Sequence, residues 1–181
     1  MYNFINNMKT VISFDWDWTL WYPKFTKHKK APHRIYEKFP SVEEANANLI
    51  LIPWIMDILI YCKTKKITLI LLSTNPNIPS IAQKQVEQRA ELLWISKYFD
   101  FIISARDYPE NKWEMLVDFA YNNKLDLNTI LHIWDSYNRD YLSTKNKWID
   151  SILIKTNYMK EDFPFAIEHK NLLKTIKTFI T

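Results

Sequence analysis

The chain has 181 residues and not one of them is glycine. That absence excludes several sites at once. A P-loop, a dinucleotide fingerprint, a nucleophile elbow and a calcium-binding EF-hand each need glycine at a set position. Turns of positive φ must fall to other residues, and asparagine tolerates them best. Asn75, Asn77, Asn111, Asn123 and Asn128 stand where such turns are expected. Cysteine is almost as scarce. Cys62 is the only one, so no internal disulfide can form and the familiar zinc patterns are excluded. Its neighbours Ile58, Leu59, Ile60 and Tyr61 mark it as a packed thiol. Unpaired cysteine usage fits a reducing compartment, and a cytoplasmic location is expected. No apolar run approaches the ~20 residues of a spanning helix, so no membrane partner is expected. The opening MYNFINNMKT lacks the basic and long apolar regions of a signal peptide.

What the chain does contain is a core. Hydrophobic residues make up 48% and charged residues 24%, the balance of a globular protein and too apolar for a disordered one. The length suits one domain spanning residues 1–181. A net charge of +4 permits a polyanionic partner without requiring one.

Short apolar runs alternate with helical patterns. Val11–Phe14, Ile67–Leu72, Phe101–Ile103, Ile130–Trp134 and Ile152–Ile154 read as buried strands. Between them, helices are expected from Pro53 to Thr64, from Pro79 to Lys97 and from Asn111 to Asn122, with a closing helix from Ile167 to Ile180. On the second of these, Lys84, Glu87, Arg89 and Glu91 are assigned to the wet side. The alternation predicts an α/β fold, a Rossmann-like, doubly wound parallel sheet. Residues 22–48 fit none of this. They are polar, broken by Pro23, Pro32 and Pro40, and carry a basic run from Lys24 to Arg34, so they read as a long loop or minimal cap insertion.

In open α/β sheets, ligands gather beyond the carboxyl ends of the strands. The first run ends at Asp15 and Asp17, the second at Ser73 and Thr74, and the fourth at Asp135, while Lys112 opens a helix after the third. Paired acids at the end of a buried strand need a cation to neutralise them. Together these groups suit Mg²⁺-assisted phosphoryl transfer. Asp15 would attack phosphorus. Asp17 would protonate the leaving oxygen and later accept a proton from water. Mg²⁺, a hard cation, suits Asp15, Asp135 and the Asp17 carbonyl. Ser73 or Thr74 would donate to a phosphoryl oxygen, and Lys112 would balance the remaining charge. His132, inside a strand, reads as a core histidine.

The residues and their order resemble the haloacid dehalogenase superfamily of aspartate-nucleophile phosphatases. Asp15-Trp16-Asp17-Trp18-Thr19 matches its DxDxT motif, Ser73 or Thr74 its second motif, Lys112 its third, and Asp135 with Asp140 its paired acids. The extended DWDWTLW and the segment Tyr108–Leu116 are most similar to the small magnesium-dependent phosphatases. Those phosphatases carry a second Asp where this chain has Ser136, and Tyr where it has Trp18. The resemblance implies a Rossmann-like core with little or no cap, a Mg²⁺ cofactor bound by Asp15, Asp17, Asp135 and Asp140, and an aspartyl-phosphate intermediate. It also implies a small phosphoester, phosphotyrosine or sugar phosphate as substrate. Trp18 and Trp21 are the expected substrate-pocket wall, with Trp18 placed to stack on an aromatic leaving group. Two alternatives stand beside this reading. One is a nucleic-acid end phosphatase drawing its substrate in through Lys24–Arg34. The other is a retired module of the same fold that binds nucleic acid or a phosphoprotein without turnover.

Overall fold

The first apolar run, Val11–Phe14, forms strand β1 and is buried along its whole length, as the middle strand of a covered parallel sheet must be. A computed structural model of the chain describes residues 8–24, 39, 41–74, 77–104, 112–137, 144 and 149–180. Strand β1 is followed by β2 (Trp21–Pro23), α1 (Val42–Ala47), β3 (Leu49–Leu51) and α2 (Ile55–Thr64). Then come β4 (Thr68–Ser73), α3 (Pro79–Leu92), β5 (Phe101–Ser104), α4 (Lys112–Asn122), β6 (Ile130–Trp134), β7 (Asp150–Leu153) and α5 (His169–Ile180).

The main sheet runs β5-β4-β1-β6-β7 with every neighbouring pair parallel. This is a doubly wound parallel sheet, the architecture expected from the sequence. Strand alternation sorts the core into two layers. Ile12, Phe14, Leu69, Leu71, Leu131 and Ile133 pack with α2, α3 and α5 on one face. Val11, Ile70, Leu72 and Ile130 pack with Met115, Leu116 and Ala120 of α4 on the other. The second strand neighbouring β1 is β6, reached only after three crossovers, so the topology reverses beside β1 and opens a crevice there.

Three helix ends show how the chain manages without glycine. After α2, Lys66 N–H donates to Lys63 O and Ile67 N–H to Cys62 O. After α3, Trp94 and Ile95 repeat that pattern with Glu91 and Ala90; after α4, Lys124 and Leu125 repeat it with Tyr121 and Ala120. These are Schellman motifs, whose left-handed position is normally glycine. Here it is Lys66 (φ 57°), Trp94 (φ 59°) and Lys124 (φ 55°). A side chain at that position costs about 1–2 kcal/mol. Each following residue is apolar, and tucking Ile67 or Ile95 into the core offsets about that amount. The asparagines expected in this role do not hold it: Asn77, Asn123 and Asn128 are absent from the positive-φ residues, and Asn75 and Asn111 lie outside the described residues.

Other boundaries shift. The helix expected to reach Lys97 ends at Leu92, where the turn at Trp94 reverses the chain into a 3-10 turn at Ser96–Tyr98. Pro53 lies ahead of α2, which begins at Ile55 behind a left-handed Trp54. A second, two-stranded sheet was not expected. Strands β2 and β3 pair antiparallel, Trp21 with Leu51 and Pro23 with Leu49. They bring the two ends of the segment read as a loop or cap side by side.

Candidate active site

The loop after β1 begins where the hydrogen-bonding of the sheet ends. Asp15 N–H still donates to Ile133 O at 2.9 Å, which anchors it between β1 and β6. Alternation along the strand turns its side chain to the α4 side, and there it meets Lys112, the first residue of that helix. Lys112 Nζ lies 2.6 Å from Asp15 Oδ1, with the two side chains only 12% and 7% exposed. The Trp16 N–H donates to the same oxygen at 2.8 Å. A buried carboxylate is tolerated because it has both a cation and a hydrogen bond. The lysine also stands 5.8 Å from the centroid of the Trp134 ring.

Beyond Asp15 the chain coils tightly. Leu20 N–H donates to Trp16 O at 2.9 Å, and Trp18 N–H to Trp21 O at 2.8 Å. Trp18 takes the left-handed conformation, φ 58°. This coil places Asp17 beside Trp21, whose indole Nε1–H donates to Asp17 Oδ1 at 3.0 Å. Burial raises the Asp17 carboxyl above the ordinary carboxylate value. The Arg89 guanidinium acts against burial, the Asp15 charge reinforces it, and the Trp21 hydrogen bond and Lys112 pull the value down. The two acids are thus unlike. One is ion-paired; the other is biased towards holding its proton.

Ser73 closes β4, buried, and its hydroxyl donates to Thr74 O at 3.3 Å; Thr74 is half-buried. Both stand at the carboxyl end of the strand next to β1. Asp135 is buried immediately after β6, on the other side of β1. Asp15, Asp17, Ser73, Thr74, Lys112 and Asp135 therefore share one edge of the sheet. Asp140 lies outside the described residues, as does the basic run beyond Lys24. Lys24 itself is exposed, and its ammonium donates to Ala47 O at 3.0 Å. Among the described residues no group of three or more acidic, histidine or cysteine side chains is gathered into a metal cage. The donors present still suit Mg²⁺, which binds through one or two carboxylates and keeps several waters. Asp15 and Asp135 are two buried, hard oxygen donors that each directly follow one of two adjacent strands.

Two expectations need correction. Trp18 and Trp21 are both 0% exposed and cannot serve as a pocket wall. Trp18 packs against Tyr22 and Tyr158, and Trp21 against Trp16, because the tight coil folds both indoles inward. Arg89 is not on the wet side of α3 but only 4% exposed. Its Nε–H donates to Asn46 Oδ1 at 2.8 Å, and its guanidinium lies 4.7 Å from the Trp16 ring centroid. The signal was in the spacing: Ala82, Val86, Arg89 and Ala90 fall on one helical stripe, the buried one. His169 was also missed. At the start of α5, its Nε2–H donates to Trp18 O at 2.8 Å and ties the last helix to the coil. His132 is buried as expected, and burial, aided by Lys112, holds its imidazole well below the usual histidine value.

A family model described as Acid Phosphatase matches residues 7–116, a span holding Asp15, Asp17, Ser73, Thr74 and Lys112 and stopping short of Asp135. No curated protein matches the chain. Among solved structures it is similar to a HAD phosphatase from Thermococcus onnurineus (16% identity, TM-score 0.66, covering 93% of this chain and 98% of that one). A haloacid dehalogenase-like hydrolase from Streptococcus pneumoniae is similar at 18% identity and TM-score 0.58, over 92% and 90% of the two chains. A HAD-superfamily hydrolase of subfamily IA from Geobacter sulfurreducens is similar at 14% identity and TM-score 0.60, over 93% and 96%. At these identities the likeness speaks to the fold.

Proposed function

The chain belongs to the acid phosphatase family, within the haloacid dehalogenase superfamily, and on that footing we propose that it hydrolyses phosphomonoesters through Asp15 and Asp17. The observation that carries this reading is the unlike treatment of two acids two residues apart. Asp15 is paired with Lys112 at 2.6 Å, which suits an ionised nucleophile. Asp17 is raised by burial, which suits a carboxyl that begins the reaction with its proton.

In the first half-reaction a carboxylate oxygen of Asp15 forms a bond to phosphorus as the bond to the leaving oxygen breaks. Asp17 gives that oxygen its proton, so a neutral alcohol departs and an aspartyl-phosphate remains. In the second, water attacks phosphorus, Asp17 takes a proton from it, and the phosphorus–Asp15 bond breaks. Inorganic phosphate is released with both acids restored. Lys112 and the hydroxyl of Ser73 or Thr74 balance and orient the phosphoryl oxygens. Asp15, Asp135 and the Asp17 carbonyl would hold Mg²⁺, with Asp140 as a further ligand; when bound, the ion would supply positive charge to offset the repulsion of carboxylate and phosphate. Residues 1–181 form one phosphatase domain in this reading, with 22–48 as a long polar loop or minimal cap insertion. Small phosphoesters, including aryl and sugar phosphates, are the substrate class.

The test is turnover of p-nitrophenyl phosphate with Mg²⁺ or with EDTA, in wild type and Asp15→Asn. Turnover should need the metal, and the substitution should lower kcat by at least about 10³-fold. Turnover that persists in Asp15→Asn overturns the assignment.

A further inference from the structure

Trp21 serves the site without touching solvent. Its indole N–H meets Asp17 Oδ1 at 3.0 Å, and that group can donate but never accept. Oδ1 must therefore act as acceptor whether Asp17 is an acid or a carboxylate. The carbonyl-type oxygen of a protonated carboxyl is the better acceptor, so this bond favours the transferable proton on Oδ2. The indole is itself held from behind. Its ring centroid lies 4.8 Å from that of Trp16, and Trp16 is faced at 4.7 Å by the Arg89 guanidinium. Arg89 is fastened to Asn46 of α1 by its Nε–H. At the main chain, Trp21 is gripped twice more, by pairing with Leu51 of β3 and by accepting from Trp18 N–H. Each of these side chains is buried except Asp17 and Leu51, which are half-buried. A rigid stack thus runs from α1 to one oxygen of one acid.

We propose that Trp21 is a positioning residue for proton transfer: it holds Oδ1 of Asp17 so that Oδ2 faces the leaving oxygen, and the Trp16–Arg89–Asn46 stack fixes the indole that does so. The inference rests on the reading of Asp17 as the general acid. It adds a role for the indole that the DxDxT pattern does not contain, and a reason for a buried arginine on α3.

A residue that positions the acid matters in proportion to how much the leaving group needs a proton. p-Nitrophenolate departs as a stable anion, whereas phenolate needs protonation, so phenyl and p-nitrophenyl phosphate form a matched pair of similar shape. Wild type, Trp21→Phe, Trp21→His and Arg89→Lys are assayed on both with Mg²⁺, separating kcat from KM. Inhibition by inorganic phosphate reports whether the site is assembled. Trp21→Phe keeps an apolar ring and loses the donor; kcat on phenyl phosphate should fall about 10- to 100-fold, against about 3-fold or less on p-nitrophenyl phosphate, with KM and phosphate inhibition unchanged. Trp21→His packs worse but carries a ring N–H where the indole has one, and should recover part of the phenyl phosphate rate. Arg89→Lys keeps the charge and loses the flat stack and the Nε donor, and should show the same selectivity with a smaller loss. It carries the test if neither Trp21 variant folds.

Equal losses on the two esters, or a Phe variant as fast as wild type on both, overturn the positioning role while leaving the phosphatase reading intact. A wild type that turns over neither ester overturns the phosphatase reading, and the inference with it.

Discussion

Replacing Lys112 by methionine isolates the ion pair at the centre of the site. The lysine and Asp15 meet at 2.6 Å, each with little exposure. Methionine preserves much of the stem and removes the charge, so the main effect is to strand a buried carboxylate. Breaking a buried pair from one side costs about 3–5 kcal/mol. Asp15 keeps its bond from Trp16 N–H, and the lysine is not wholly enclosed. The expected loss is therefore reduced to about 2–3 kcal/mol, at or just below the lower bound of that range. In urea unfolding, read without metal in EDTA, this moves the midpoint down by about 1–2 M for a typical slope. Adding Asp15→Asn removes the stranded charge, and the double variant should regain most of the lost stability. Turnover on p-nitrophenyl phosphate should fall by about 10²-fold or more in the single variant, since a cation facing the phosphoryl oxygens is lost. A midpoint equal to that of wild type, or a double variant no more stable than Lys112→Met, would refute the claim that Asp15 depends on Lys112 in the folded protein.

Two further outcomes follow from the buried groups. The folded protein holds the Asp17 proton more tightly than the unfolded chain does, so the stability this contributes is full at low pH and is lost as pH rises through the folded value. Asp17→Asn cannot lose it, and its melting temperature should climb relative to wild type as pH rises above the ordinary carboxylate value; a flat or falling difference contradicts the assignment. Cys62 is fully buried on α2 and burial pushes its thiol up to about 12. Ellman's reagent should leave the native protein unlabelled and titrate one thiol after unfolding in urea, and rapid labelling of the native form would show that the α2 packing is wrong.

The strands and the parallel sheet they build were legible because each strand depends on short-range pattern. The five apolar runs are too brief for helices and too uniform for half-exposed strands, so parallel pairing is the way to cover both faces. The run Ile130–Trp134 agrees with its strand residue for residue. The acids, the hydroxyls and the lysine were legible for a related reason. Each lies at the end of a strand or the start of a helix, and a parallel sheet brings such ends to one edge whatever the loops do.

What lay beyond the sequence was the direction in which individual side chains turn once the backbone stops being regular. Trp18 and Trp21 flank the acids in sequence, and the motif alone offers them as a pocket wall. The left-handed backbone at Trp18 and the pairing of β2 with β3 send both indoles into the core. Arg89 reads as a surface charge until α1 comes to rest on α3 and gives it Asn46. The left-handed helix ends went to Lys66, Trp94 and Lys124, because the burial of the next residue outweighs the backbone preference of asparagine. The sequence by itself determined which chemical groups meet at the sheet edge, since that follows from strand ends and parallel order. Only the tertiary structure decided which acid is paired with a cation and which is held by an indole, since both depend on contacts between segments far apart in the chain.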